Sequence, residues 1–393
     1  MSLTVRGRYP FLLLCLIGSA TFYSSYLRIP VLPLFAATLG AGPAQVGMIS
    51  GAFMIAAGLL SIPAGLMVDR VGRTWPVIGG IAATAVSSLL VTQCTSALQM
   101  AGAYLLFGAG LAAFAPGMLS LVADVVPPER LGRSYGWYTT AIYVAMTLGP
   151  ASGGYLAKTV GLRMVFFVSG GLLAGMAVMA LLTLPRTQPR CKTELHAALA
   201  GSVTLLQSRP LRACLLATIG SCIGFGLFLT FLPLFAASHG LDPAQTGLVF
   251  ATQAITNVVG RVPIGMIADR VDRRLLVTSG LLILALSLAA LGQSSQLVSM
   301  ISCTIGLGAG MALTFTAISA LIVEQVDIAQ RGLAMGMYNS CIYLGMMLGS
   351  TSMGVAFKWV GYATGFLAAG LAVLVSLVLF VLLMKGLRVG KTA

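Results

Sequence analysis

The chain has 393 residues, 58% of them hydrophobic and only 8% charged, with a formal net charge of +14 at pH 7. Its mean hydropathy is +0.98. A soluble fold cannot hide that much apolar surface, so the composition implies an all-α polytopic membrane protein, and the basic excess is better read as membrane topology than as nucleic-acid binding.

Crossing ~30 Å of hydrocarbon takes roughly 20 mostly apolar residues. Breaks at Pro, Gly and charge clusters place twelve spans, at 10–36, 45–68, 75–93, 98–122, 135–157, 163–184, 211–237, 244–268, 275–293, 297–322, 334–357 and 363–384. The first follows Arg6 and Arg8, but it exceeds 25 residues and has a later copy, so it reads as a span and not as a secretory leader. It carries Arg28 with Thr21, Ser24 and Ser25 at helical spacing. The second ends in GLMVDRVGR at 65–73, and the fourth holds Tyr104 and ends near Asp124. The fifth holds Tyr143 and the small-residue series Gly136, Gly149, Pro150, Gly153, Gly154.

Residues 185–210 form the one long polar insert, expected to be a cytoplasmic linker with a short amphipathic helix near 193–207. It divides the chain into bundles 1–184 and 211–393. Span eight places Gln253, Asn257 and Arg261 on one face, at steps of four, and ends in GMIADRVDRR at 265–274. Span ten ends near Glu324, and span eleven carries Asn339 and Tyr343.

With the N-terminus inside, 18 of the 23 Lys and Arg fall on the cytoplasmic side, and only Lys158, Arg163 and Lys358 fall outside. The bias of cytoplasmic loops toward Lys and Arg therefore places both ends in the cytoplasm.

At an offset of 200 the sequence repeats itself. PLFAA at 33–37 recurs at 233–237, and 33–73 matches 233–273 at 17 of 41 positions. The register continues through Gly108, Gly110, Tyr138, Tyr143, Gly149 and Gly154 against Gly308, Gly310, Tyr338, Tyr343, Gly349 and Gly354. Two pseudo-symmetric six-helix bundles follow, and parallel repeats of this kind leave a site near the midplane between halves that rock on each other.

Ionisable side chains at membrane depth are functional candidates, and the spans contain two, Arg28 and Arg261. Their polar faces are expected to look into a central cavity shared with Ser24, Ser25, Tyr104, Tyr143, Gln253, Asn257, Asn339 and Tyr343. The alternative is that each arginine snorkels, since each lies about eight residues (~12 Å) from a helix end. The repeated charged phrase reads as a latch between halves, built from Gly65, Asp69, Arg70, Gly72, Arg73 and Asp124 and from Gly265, Asp269, Arg270, Arg273 and Glu324. Each aspartate would face the positive end of an incoming helix, worth about 0.3–1 kcal/mol. The bland alternative, topogenic charge, explains the arginines but not the paired aspartates.

Seven cysteines, Cys15, Cys94, Cys191, Cys214, Cys222, Cys303 and Cys341, form no Cys-x-x-Cys pair, so neither a disulfide framework nor a structural zinc site is implied. Gly132-Arg133-Ser134-Tyr135-Gly136 matches a nucleophile elbow only formally. It lies where a loop enters a helix, its copy at 332–336 has Ala334, and the only histidines, His196 and His239, fall in loops. No phosphate-binding loop occurs, so the chain is expected to use a gradient, without ATP, metal or cofactor.

These residues bring the chain close to a known family along nearly its whole length: it resembles a major facilitator superfamily transporter. Gly-x-x-x-Asp-Arg-x-Gly-Arg at 65–73 is similar to that superfamily's loop signature. Gly136, Gly149-Pro150 and Gly153-Gly154 resemble the span-five pattern of its drug:proton antiporter branch, with Ala145 where a glycine belongs and Ser350 in place of the proline in the other half. The resemblance implies a proton-linked efflux antiporter for small amphipathic molecules, monomeric, in a bacterial-type inner membrane. Two departures stand against it. That branch usually carries an arginine in span four and an acid in span one, where this chain has Tyr104 and Leu27-Arg28. The competing expectation is an organic-anion carrier that binds the substrate's negative group with Arg28 and Arg261.

Overall fold

A computed structural model describes residues 8–127, 130–187, 205–268, 271–326 and 331–385. Most of the expected linker helix and His196 lie outside these residues. The described residues form helices joined by short turns. Span 1 is two helices, Arg8–Tyr26 and Val31–Thr38, followed by Pro43–Val71 (span 2), Thr74–Gln93 (3), Ala97–Val125 (4), Leu131–Val160 (5) and Leu162–Thr183 (6). The second half contains Arg209–Ser238 (7), Pro243–Ala268 (8), Arg273–Gly292 (9) and Leu297–Gln325 (10). Spans 11 and 12 share the stretch Arg331–Met384, broken at Gly361, where φ is 72°.

Among the described residues, ten helical segments are long and apolar enough to cross a membrane. The two spans below that mark are 5 and 8, the helices that carry Tyr143 and the Gln253-Asn257-Arg261 stripe.

Span 1 departs from the expected continuous helix. Pro30 and Pro33 have no N–H to offer, and the helix opens over 27–30. The Tyr26 carbonyl, which Pro30 cannot serve, accepts from Ile29 instead, and Val31 and Leu32 both donate to Arg28. Span 7, the copy, has Thr230 where span 1 has Pro30, and its helix runs unbroken through Pro233.

Within each half, spans 2 and 4, 3 and 4, 3 and 6, and 1 and 5 pack together, as do their copies. Across the halves, span 2 packs on span 11 and span 5 on span 8. The span 7 to span 11 contact is locked by a buried hydroxyl pair, with Thr230 Oγ1 2.8 Å from Ser350 Oγ and the latter donating to the Gly226 carbonyl at 3.1 Å. The first half has Pro30 and Pro150 at those places, so its span 1 to span 5 contact has no such lock. Ser350→Ala should cost about 1–3 kcal/mol by leaving the Thr230 hydroxyl without this partner, whereas Thr230→Val combined with Ser350→Ala should return most of that loss. Thermal unfolding of the two singles and the double checks this.

The loop signature acquires a structural reason. Gly72 closes span 2 with φ 94°, a left-handed conformation that favours glycine, and a side chain there would strike the Thr187 carbonyl. Thr187 Oγ1 accepts from the Arg73 N–H at 2.7 Å, so the phrase docks onto the chain leaving span 6. In the copy, Asp272 replaces this glycine and accepts from the Arg274 N–H at 2.9 Å, capping span 9.

Candidate functional site

Arg28 sits at the break in span 1, 1% exposed. Its guanidinium carbon lies 3.7 Å from the centre of the Phe107 ring and 5.4 Å from that of Tyr104, both on span 4. None of Nε, Nη1 and Nη2 has a hydrogen-bond partner, and neither do Thr21 Oγ1 and Ser25 Oγ. Thr21 and Ser25 stand at i and i+4, on one face of span 1, and Arg28 follows where that helix opens. The snorkelling alternative is thereby corrected for Arg28: its stacking partners are rings inside the first half. Ser24 also departs from expectation, because its hydroxyl bonds back to the Ala20 carbonyl at 2.7 Å and its own carbonyl accepts from Ser169.

Arg261 has a different environment. Its Nε donates to Asn257 Oδ1 at 3.0 Å and its Nη1 to the Tyr143 hydroxyl at 2.6 Å, while its guanidinium carbon lies 4.3 Å from the centre of the Tyr143 ring. This bond crosses between the halves, from span 8 to span 5. The snorkelling alternative fails here too, because the guanidinium is turned into the seam. Gln253, on the same face, reaches Met311 Sδ at 3.2 Å within the second half.

At the matching place on the other seam, Tyr343 of span 11 packs on Gly58 and lies edge-on to Phe53, ring centres 6.2 Å apart. Ser61 takes the position of Arg261 and bonds only to its own helix at Ala57. Asn339 is exposed and contributes no described contact to this cluster.

The small-residue series of span 5 joins these parts. A side chain on Gly149 would meet Tyr23 and Tyr26, and one on Gly153 would collide with the Leu27 carbonyl. One on Gly154 would strike the Pro243 carbonyl of span 8, in the other half. Within one turn, span 5 touches both the residue before Arg28 and the opposite half. Gly136 has open space around it, so close approach gives no reason for that glycine. An open apolar groove of 490 Å³ lies elsewhere, between spans 1 and 5, lined by Tyr23, Trp137, Val144 and Leu148 among others. It includes neither arginine.

Part of the expected latch lies among the described residues. Arg73 pairs with Asp124 and donates to the Ser120 carbonyl at 3.0 Å, and Arg273 pairs with Glu324. Both pairs join helices of the same half. Arg70 is exposed, and a side chain on Gly65 or Gly265 would meet only open space. Asp269, Arg270 and the side chain of Asp69 lie outside the described residues.

Among the described residues, an ion pair crosses between the halves at the opposite end of the molecule, where Lys158 Nζ lies 2.8 Å from Asp242 Oδ2. Sequence reading noticed Lys158 only as an outlying base and passed over Asp242, although this is the one acid assigned to a loop on that face. Beside it the backbones close up, with Gly47 against Ser350 and Gly354, and Gly154 against Pro243 and Gly247. The hydrogen bond from Lys158, with help from the Gln245 N–H, holds the Asp242 carboxyl below the usual carboxylate range. A depressed carboxyl keeps its pair above that pKa and loses it as pH falls through it. Asp242→Asn preserves the cap on Gln245 and removes the charge. It should shift the population away from this closed end by about fivefold at most, as for other exposed pairs. Spin labels at Thr159 and Ser238 would report the change, and acidifying the unsubstituted protein should reproduce it.

Ser134, in the formal nucleophile-elbow string, lies in the helical backbone of span 5. Among the described residues no group of three or more His, Cys, Asp or Glu is placed to hold a metal.

Comparison with known proteins bears on the family and the fold. The model of the Major Facilitator Superfamily matches residues 14–242 and 214–392. An uncharacterized MFS-type transporter of Methanocaldococcus jannaschii is 25% identical over 339 residues, covering 85% of this chain and 87% of that protein. The multi-drug resistance efflux pump PmrA of Streptococcus pneumoniae is 24% identical, covering 88% and 89%. The quinolone resistance protein NorA of Staphylococcus aureus is 27% identical over 41% of this chain and 42% of its own length. Among solved structures, a bacterial homolog of the human lysosomal transporter Spinster, inward-facing and unoccupied, superposes with a TM-score of 0.83 at 17% identity, covering 96% of both chains. The nucleoside transporter NupG superposes at 0.80 with 15% identity, covering 96% and 99%.

Proposed function

Because the chain belongs to the Major Facilitator Superfamily, whose members of this type are secondary transporters of small molecules and not enzymes, we propose that it is a proton-linked exporter working by alternating access. The observation that carries this reading is the junction at Gly149–Gly154. Gly153 bears on Leu27, next to Arg28, and Gly154 bears on Pro243 of the other half. Rocking of one half on the other is therefore transmitted to span 1 within a single helical turn. The similarity to the multi-drug resistance efflux pump PmrA supports the export direction.

With the basic loops on the cytoplasmic side, both chain ends lie there too, the end closed by Gly47, Gly354 and Lys158–Asp242 lies outside, and the state is inward-facing. When the inside closes, the clusters around Arg73–Asp124 and Arg273–Glu324 approach the seam and act as the latch. Asp124 and Glu324 are then the carboxylates available to exchange a proton with the cytoplasm.

The test is movement of ethidium and Nile red into inverted membrane vesicles under an imposed proton gradient. Uptake that ends on adding a protonophore supports the reading, and uptake that continues unchanged removes the proton linkage. The organic-anion reading has one observation in its favour, the uncompensated guanidinium of Arg28.

A further inference from the structure

Arg28 and Arg261 look alike in the sequence but differ in what the fold has done with them. Arg261 is bonded to Asn257 and Tyr143 and is committed to the seam. Arg28 is wholly buried with all three nitrogens unpartnered, and the buried hydroxyls of Thr21 and Ser25 are unpartnered as well. Stacking on Phe107 offsets part of the cost of burying a cation but satisfies none of its N–H donors.

No counter-ion is available from the surrounding helices. The sequence contains no Asp or Glu from residue 1 to 68, from 70 to 123, or from 130 to 193. The described acid of the first half, Asp124, is paired with Arg73 at the far end of span 4. The duplication sharpens the point, because the copy of Arg28 is Phe228, buried at 0% exposure. The scaffold at this place needs only an apolar side chain.

We propose that Arg28, with the hydroxyls of Thr21 and Ser25, is the carboxylate subsite for an amphipathic aromatic acid, whose apolar body lies along Phe107, Tyr104 and Phe53. A planar guanidinium presents two parallel N–H donors that match a carboxylate, and the hydroxyls supply further donors to its oxygens. A single arginine suits a monoanion. The Phe107 and Phe53 rings, 4.9 Å between centres, form the adjoining apolar wall. Phe53 also touches Tyr343 across the seam, so a ligand there contacts the pair of rings that joins the halves. The inference rests on the transport reading above and narrows its substrate class; Arg261 is assigned to the seam and not to the ligand.

The experiment is thermal unfolding of the purified full-length protein with benzoate and 2-naphthoate, beside the matched amides and amines. The carboxylates should raise the midpoint and the amides and amines should not. Arg28→Gln should weaken the carboxylate effect by about tenfold or more, and Arg28→Lys by less, since it keeps charge but loses the two-pronged contact. Arg28→Met guards against a variant that fails to fold. Exchanging an uncompensated buried charge for an apolar chain should raise the midpoint of the unliganded protein while abolishing the carboxylate response. Amides that stabilise as well as acids, a full carboxylate response in Arg28→Gln, or a lowered unliganded midpoint in Arg28→Met would each overturn the proposal. Failure of the export reading looks different: carboxylates bind through Arg28, yet no probe moves under a proton gradient. If ethidium moves under the gradient and no carboxylate binds, export stands and the subsite falls.

Discussion

Gly153→Ala should lower the stability of the protein by about 1–3 kcal/mol, the usual cost of forcing a group into a closed interior. The added methyl would meet the backbone carbonyl of Leu27, within the same half, where no flexible side chain can yield. Gly154→Ala, one residue on, meets the Pro243 carbonyl of the other half. The halves can part without unfolding, so its cost falls on the conformational equilibrium. The closed population should drop by about tenfold for each 1.4 kcal/mol of clash, with little change in unfolding temperature. Thermal unfolding combined with the distance between labels at Thr159 and Ser238 separates the two. A matched loss of stability in both variants, with no change in distance, would show that span 5 does not link the seam to span 1.

Tyr143→Phe should weaken the seam between spans 5 and 8 by about 1.5–3 kcal/mol, the range for a hydrogen bond to a charged group. The ring remains beneath the guanidinium, so the cation–π contact at 4.3 Å survives. Arg261→Gln removes both contacts and should do more. The double substitution should be no worse than Arg261→Gln alone, because the two side chains act as one unit. Vesicle uptake and the same label distance read the result. If the double is the sum of the singles, the residues act independently and the clasp does not exist.

Several features were legible along the chain. The loop phrase at 65–73, the 200-residue offset and the two arginines inside apolar runs are visible to anyone who slides the sequence against itself. The offset also shows where the copies diverged: Arg28 against Phe228, and Arg261 against Ser61. Fixed charges absent from the duplicate are the places where a repeated scaffold has been altered for use.

Other features were not legible. The break at 27–30 was signalled by Pro30 and Pro33, yet whether a proline bends or interrupts a helix depends on what takes up the freed carbonyls. Ser24 reads as an equal of Ser25 on the sequence, but its hydroxyl is used by its own helix. The paired aspartates and bases of the two charged phrases read as a latch between the halves. In this structure Arg73–Asp124 and Arg273–Glu324 each close within one half, and among the described residues Lys158–Asp242 crosses between the halves. Phe53 and Phe107 passed unnoticed, since one more aromatic in an apolar span carries no sequence signal.

Taken alone, the amino-acid order determined the membrane class, the spans, the duplication and the residues that cost most to bury, because hydropathy, charge and repeats are properties of neighbouring positions. Only the tertiary structure decided that Arg261 is satisfied and Arg28 is not, and at which end the halves close. Those outcomes depend on which atoms come within about 3 Å of each other from helices far apart in the chain, and hydrogen-bond and ionic energies are set at that distance.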